Sequence, residues 1–434
     1  MRVRKTSSVL ALTVSAIVLA PSAAFATNGY FAHGYSTKSN GLAGAGVALP
    51  QDAMAAATNP AGMVQVGTRI DLGAALFSPR REYTVEGAPS GLPGTVGLFP
   101  GTEESSSDYF LMPHFGWNKM LDDRSAIGIS IYGNGGMNTN YSSSANGGFG
   151  TFFGGAVPGA EAGAGVDLMQ LFIAPTYSRK FGENASWGIS PILAIQRFEA
   201  TGLAAFAPFS SAPDKLTDNG HENSYGGGIK LGVQGEVTPG LTLGASYQSR
   251  IYMTEFDDYK GLFAEDGDFD IPATATVGLA WNITPNSTLV FDVQHIWYSD
   301  IDSIANSLLP NLQTAQLGDD NGAGFGWDDM TIYKIGYQWQ TSGGWTWRVG
   351  FSYGEQPIPE SQVLFNILAP GVMEKHFTFG FTKEMGKDNE LSFAAMYAPK
   401  ESVKGPNPLD PPSGQQIELE MEQYQIEFSW AWKF

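Results

Sequence analysis

TIYKIGYQWQTSGGWTWRVGFSY, residues 331–353, decides the fold. In its first ten residues Thr331, Tyr333, Ile335, Tyr337 and Trp339 fall on one face of an extended chain. Ile332, Lys334, Gly336, Gln338 and Gln340 fall on the other. Thr341 to Gly344 make a tight turn, and the alternation resumes with Trp345, Trp347, Val349, Phe351 and Tyr353 opposite Thr346, Arg348, Gly350 and Ser352. Successive side chains of a strand point to opposite faces. A strand with one aromatic-apolar face and one small or polar face suits a wall between lipid and a polar lumen.

The pattern recurs from Thr68 onward. Ala273 to Asn282 sets Ala273, Ala275, Val277, Leu279 and Trp281 against Thr, Gly, Ala and Asn. Six tight turns are read: Leu121 to Asp123, Gly182 to Asn184, Thr238 to Gly240, Pro285 to Ser287, Thr341 to Gly344, and Gly386 to Asn389. Seven longer loops alternate with them, near 86–107, 134–165, 201–222, 253–269, 299–327, 355–373 and 399–415. Thirteen connections join fourteen strands, and an even count places both termini on one side, the periplasm. The expected fold is therefore all-β, a 14-stranded antiparallel transmembrane barrel over residues 68–434. At its end Tyr424, Ile426, Phe428, Trp430, Trp432 and Phe434 share a face, a form that resembles the signal read by the outer-membrane barrel-assembly machinery. Upstream the apolar phase switches to Ile417, Leu419 and Met421, which predicts a bulge near Glu422.

The composition excludes several classes. No stretch after Thr27 holds enough consecutive apolar residues for a membrane helix. With 54 Gly, 27 Phe, 17 Tyr, 10 Trp and only 15% charged residues, the chain reads poorly as a soluble enzyme. A net charge of −19 argues against nucleic-acid partners, which need basic surface. Cysteine is absent. Residues 1–26 read as a signal peptide: Arg2, Arg4 and Lys5, an apolar core from Val9 to Ala20, then Ala24-Phe25-Ala26 for cleavage.

Residues 27–67 carry no period-2 pattern and are rich in Gly and Ala, including Gly41 to Gly46 and Asp52 to Thr58. The second piece can form about two helical turns with Asp52 at the positive end, stopped at Asn59-Pro60. A helix so short needs a surface to pack on, and the barrel lumen offers one. This segment is expected to plug the lumen as a hatch; a disordered tail would carry more charge.

These residues resemble the N-terminal hatch of the FadL/TodX family of outer-membrane transporters of hydrophobic compounds. Gly41-Leu-Ala-Gly44-Ala-Gly46, Asp52-Ala53 and Asn59-Pro60-Ala61 carry the likeness, Asn59-Pro60-Ala61 matching the family's Asn-Pro-Ala motif. A second match runs through Trp327-Asp328, Tyr333, Gly336-Tyr337, Trp347-Arg348-Val349-Gly350 and Pro357-Ile358-Pro359. The resemblance spans the mature chain. It implies uptake of hydrophobic molecules, long-chain fatty acids first and aromatic or alkane hydrocarbons as the alternative. Capture by outer loops is followed by binding in a lumenal pocket and release through the wall at a kink in the third strand, gated by the hatch. The third strand is read as Ala126 to Tyr132, followed by Gly133-Asn134-Gly135-Gly136, which either form that opening or begin the next loop. Phe149, Phe152 and Phe153 in the 134–165 loop, and Leu203, Phe206 and Phe209 in the 201–222 loop, form either an apolar landing groove or the loops' own small core. Arg197, Lys334 and Arg348 are expected to face the lumen, Arg197 where the family places a cation near an acidic head group; all three could instead pair with carboxylates such as Asp292. Tyr30 and Phe31 would reach the ligand.

Other chemistry is weakly represented. Gly350-Phe351-Ser352-Tyr353-Gly354 fits a nucleophile-elbow pattern, but it lies on an alternating strand rather than a strand–turn–helix. His33, His114, His221, His295 and His376 are dispersed, without metal-ligand spacing. No enzyme activity, cofactor or metal is therefore expected. A general diffusion porin, an outer-membrane lipid hydrolase and a loop-borne adhesin are the rival classes. The expected partners are a hydrophobic ligand, outer-membrane lipid and lipopolysaccharide, and the assembly machinery, with the barrel acting as a monomer.

Overall fold

The computed structural model describes residues 27–141 and 163–434. Fourteen long strands form one closed sheet: β1 Arg69–Glu86, β2 Phe110–Asp122, β3 Ser125–Tyr141, β4 Ala164–Phe181, β5 Ala185–Thr201, β6 Glu222–Thr238, β7 Leu241–Gln248, β8 Thr274–Thr284, β9 Ser287–Ile296, β10 Met330–Thr341, β11 Trp345–Gly354, β12 Lys375–Glu384, β13 Asn389–Pro406 and β14 Gln416–Lys433. Each pairs antiparallel with the next, and β14 returns to β1 from Arg69↔Lys433 to Glu86↔Gln416. Closure removes the unpaired edges that an open sheet would present to lipid. Two short strands, Gly101–Glu104 and Tyr252–Met253, extend β1 and β6 within the loops. The proposed signal peptide and loop residues Phe149, Phe152 and Phe153 lie outside the described residues.

The six tight turns stand where the sequence places them, and the aromatic faces point outward. Tyr333, Ile335, Phe379, Tyr424, Ile426 and Phe428 are all exposed on the outer wall. Near the tight turns the rings touch from strand to strand, Trp347 to Phe381 at 5.6 Å, Phe381 to Phe393 at 5.4 Å and Phe393 to Phe428 at 5.0 Å. Tyr397 and Tyr424, at 5.2 Å, belong to a second girdle nearer the long loops.

The expected bulge near Glu422 is absent from β14. Its odd residues face inward without a break, from Ile417, Leu419 and Met421 through Gln423, Gln425 and Glu427. What changes is the surroundings. On the tight-turn side the outer face meets lipid and the lumen is polar. Beyond the upper girdle the outer face carries Glu418, Glu420 and Glu422, and the inner face packs on the folded loops. β1 repeats the inversion, with Leu72 and Leu76 outside lower down, then Arg80, Glu82 and Glu86 outside with Tyr83 and Val85 buried. The irregularity faces Glu422 from the neighbouring strand, as a register shift between Ala398 and Glu401 of β13.

The long loops fold together over one end as a cap. Phe198, Phe206, Phe256, Phe263, Phe325 and Phe365 are buried in its core. Residues 27–67 occupy the lumen, with two one-turn helices, α1 (Thr37–Asn40) and α2 (Ala55–Thr58), and a 3-10 turn at Pro60–Gln65. The helix read from Asp52 shrinks to α2, and Asp52 Oδ1 accepts from Met54 N at 3.0 Å ahead of it.

The outer face gives a depth-dependent expectation. Phe428→Arg in the lipid-facing belt is expected to destabilise the barrel by about 2–4 kcal/mol, against about 0–1 kcal/mol for Glu422→Arg beyond it. Urea-dependent folding into phospholipid vesicles measures both.

Candidate functional site

The N-terminal segment is held to the wall by polar contacts that no local pattern announces. Near the tight turns Glu390 of β13 accepts from Lys38 Nζ at 2.6 Å, Arg69 at 2.9 Å and Lys433 at 3.1 Å. Arg69 also pairs with Asp71 at 2.7 Å, and Asp71 accepts from Ala53 N at 2.9 Å. Glu427 of β14 accepts from Thr37 Oγ1 at 2.9 Å and from the Asn40 amide. Across the lumen Asp292 Oδ2 accepts from Gly46 N at 2.7 Å and Val47 N at 2.9 Å, while Lys334 donates to His33 O at 2.8 Å. Lys230 donates to Ala57 O.

The expected cations divide accordingly. Lys334 and Arg348 face inward and are buried, and both serve the segment: Arg348 donates to Gln51 Oε1 and to Thr382 Oγ1, each at 2.8 Å. Arg197 points outward. Its neighbours Gln196 and Phe198 take the lumenal positions, at 0% and 1% exposure, so the alternation of β5 is one residue out of step with the expected one.

Asn59, Pro60 and Ala61 form a tight structural unit. Asn59 Nδ2 donates to Val47 O at 2.7 Å and Val233 O at 3.1 Å, and its Oδ1 accepts from Ala61 N at 3.0 Å. Pro60 opens the 3-10 turn, where a missing N–H costs nothing. Ala61 O then accepts from Ser178 of β4 at 3.0 Å and Ser186 of β5 at 2.9 Å. Gly44 sits at φ +78°, and a Cβ there would lie 1.6 Å from His33 O. Gly46 supplies the first of the two N–H groups that hold Asp292.

Gly133 to Gly136 lie within β3, which continues to Tyr141, so the loop expected from 134 begins later. Pairing of β2 with β3 stops at Phe115↔Ile131, and a register shift against β4 falls between Gly133 and Gly135. Beyond Ile131, the N-terminal segment pairs with β3. Ala32 N donates to Asn134 O at 2.9 Å, and Gly136 N donates to Tyr30 O at 3.0 Å. A Cβ on Gly135 would lie 2.1 Å from Tyr30 O, so this approach requires glycine. Tyr30 and Phe31 are fully buried, and Tyr30 packs against Tyr298 at 5.4 Å, Trp327 at 5.9 Å and Phe269 at 6.2 Å.

From the bulge a hydrogen-bonded row runs along the inner face of the wall from β3 to β5. Asn134 donates to Gln170 at 2.8 Å, Gln170 to Gln196 at 2.9 Å, and Gln196 to Phe269 O at 2.8 Å. All three side chains are at least 98% buried. Phe269 packs at a tilt against Phe263, which lines an apolar cavity of about 30 Å³ in the cap with Phe198, Leu203, Phe206, Phe325 and Phe365. That space holds a water or two, so a hydrocarbon enters only as these rings move. Phe206 is buried in the cap core and Phe209 half-buried against it. Beside Phe269, burial and then the Asp270 carboxylate push Asp268 up to about 7, and Arg250 pairs with both, at 3.3 and 2.5 Å.

Gln170, Gln196, Tyr298 and Phe269 escaped the sequence reading, although correct parity on β5 would have exposed Gln196. His376, dispersed in sequence from any partner, brings its Nδ1 to 3.2 Å from Ser352 Oγ. Both are buried on regular strands inside the lumen, so neither the strand–turn–helix of an elbow nor access from the outer leaflet is present.

The comparisons agree with this geometry. The family model described as Outer membrane protein transport protein (OMPP1/FadL/TodX) matches residues 17–422. Among solved structures, a Pseudomonas aeruginosa FadL homologue superposes with a TM-score of 0.69 at 18% identity, over 94% of this chain and 100% of that one. The P. putida toluene transporter TodX gives 0.65 at 17% identity, over 93% and 99%. The Ralstonia pickettii toluene transporter TbuX gives 0.63 at 16%, also over 93% and 99%. No individually curated protein matches.

Glu390→Gln removes the carboxylate that Lys38, Arg69 and Lys433 share. Breaking such a pair costs about 3–5 kcal/mol. The expected result is brief channel openings in planar bilayers and faster labelling of a cysteine placed at Ser39, while the barrel keeps its heat-modifiable migration.

Proposed function

This chain belongs to the outer membrane protein transport family (OMPP1/FadL/TodX), and from that premise we propose that it takes up small hydrophobic molecules across the outer membrane. It is a transport channel and not an enzyme. The long loops face outward and both termini lie in the periplasm. A hydrophobic solute enters the cap cavity, displaces the rings around Phe263 and Phe269, and reaches Tyr30 and Phe31. Withdrawal of Tyr30 to Ala32 from β3 then opens the wall beside Gly133 to Gly136, and the solute leaves sideways into lipid. Lateral exit spares a hydrophobic molecule the passage through water. The observation that carries this reading is the break in β2–β3 pairing above Ile131, filled by hatch backbone instead of a neighbouring strand.

The cargo follows from the lining. Fatty acids, which the resemblance implies first, bring a carboxylate. The cavity walls are apolar apart from Ser303, Arg197 faces outward, and Lys334 and Arg348 are engaged with the hatch. That arrangement favours uncharged aromatic or alkane hydrocarbons over fatty acids. The row Asn134–Gln170–Gln196 links cap to gate, so entry above and release at the bulge act together.

Uptake of labelled toluene and labelled oleate by deletion cells, with and without this chain, tests the proposal. Restored toluene uptake exceeding the gain in oleate is expected. No dependence on the chain for either compound would falsify it, and a large steady aqueous conductance in planar bilayers would support a porin instead.

A further inference from the structure

The wall carries a second discontinuity, between β4 and β5. Their ladder runs from Gly165↔Thr201 to Ile173↔Leu193, skips three pairs, and resumes at Tyr177↔Ile189 in the same register. At the centre of the gap Pro175 faces Pro191, both exposed on the outer face. On their other sides both prolines keep their places, as Ile129↔Pro175 and Pro191↔Ile229. In an antiparallel sheet a residue's N–H and C=O point to the same neighbour. The loss confined to the β4–β5 side therefore marks Pro175 and Pro191 as a pair that would exchange both bonds, and neither can donate. Prolines belong at sheet edges or bulges, and an unpaired ladder within the membrane is costly. Two prolines facing each other inside a closed wall make a seam.

Side chains and the hatch hold it shut. Inside the gap Thr176 and Ser190 hydroxyls meet at 2.7 Å, in place of the missing backbone bonds. One step toward the tight turns, Ala61 O of the hatch receives Ser178 from one side of the seam and Ser186 from the other. The lumenal surface behind the gap is small and apolar: Ala174, Ile192 and Ala194 belong to the same buried cluster as Tyr30 and the cap.

We infer that the barrel wall parts between β4 and β5 at Pro175 and Pro191, giving hydrophobic solutes a second lateral window that the Asn59-Pro60-Ala61 turn clasps closed. This rests on the uptake proposed above and assigns that turn a role at the wall, beyond filling the lumen. When the hatch shifts, both serines lose their shared acceptor at once, leaving the Thr176–Ser190 contact across the gap and the 3.3 Å bond from Ser178 to Trp187 O beside it.

The chain has no cysteine, so an introduced pair is unambiguous. Thr176→Cys with Ser190→Cys, oxidised, is expected to lower toluene uptake and to recover on reduction. Pro175→Val with Pro191→Val completes the ladder and is expected to lower uptake without any cross-link. A readout independent of cargo uses Ala174→Cys and a lipid-dissolved N-alkylmaleimide. Labelling is expected to rise when Ser178→Ala and Ser186→Ala are added, and to fall with the valine pair. Equal uptake in the oxidised and reduced states, with the disulfide verified by mass, overturns the window, as does labelling indifferent to both sets of changes. A parent chain that carries no hydrocarbon at all sinks the uptake reading instead, and the labelling result then decides the seam alone.

Discussion

A strand in lipid has no water to satisfy its backbone, so every N–H and C=O must find a partner within the wall. The rest of this structure depends on that requirement. It forces β14 onto β1, closing the sheet from Arg69↔Lys433 upward. It also makes each lapse in the ladder conspicuous. Above Ile131 the partner of β3 is hatch backbone, and between Pro175 and Pro191 side-chain hydroxyls stand in for backbone. The N-terminal segment is thus part of the wall's hydrogen bonding as well as an obstruction in its lumen.

The same requirement explains how much of the fold is legible in sequence. Alternation is imposed residue by residue, so Tyr333, Ile335 and Tyr337 declare the lipid face without reference to any other strand. Tight turns declare themselves by Gly, Pro, Asn and Asp. The misreadings arise where alternation meets a change of medium. Ile417, Leu419 and Met421 reverse the apolar face because the strand has left the membrane, while the chain itself continues straight. On β5 the mixture of small and apolar residues blurs the parity, so alternation alone puts Arg197 at the lumenal position that Gln196 takes.

The site was less legible, because its contacts join distant parts of the chain. Asp292 holding Gly46 and Val47, or Glu390 holding Lys38, cannot be read from spacing. What the sequence offered was the Asn59-Pro60-Ala61 resemblance, and the geometry gives that motif a physical content: an amide that ties two chain segments and a carbonyl shared by two strands. The aromatic group around Tyr30 gathers Tyr298 and Trp327 from more than 260 residues away, which only the folded cap brings together.

The anchors of the segment bear on how the barrel is made. Glu390, Glu427, Asp71 and Arg69 lie on β13, β14 and β1, the strands that meet when the cylinder closes. Without Lys38, Thr37, Asn40 and Ala53, that junction would set the carboxylates of Asp71, Glu390 and Glu427 mainly against Arg69 and Lys433, with hydrogen-bond acceptors left empty. Desolvated like charges repel strongly. The segment therefore supplies part of the charge balance of the closed junction. The junction at which the cylinder closes carries its full set of partners only with the N-terminal segment in place, and an empty cylinder leaves that seam short of donors.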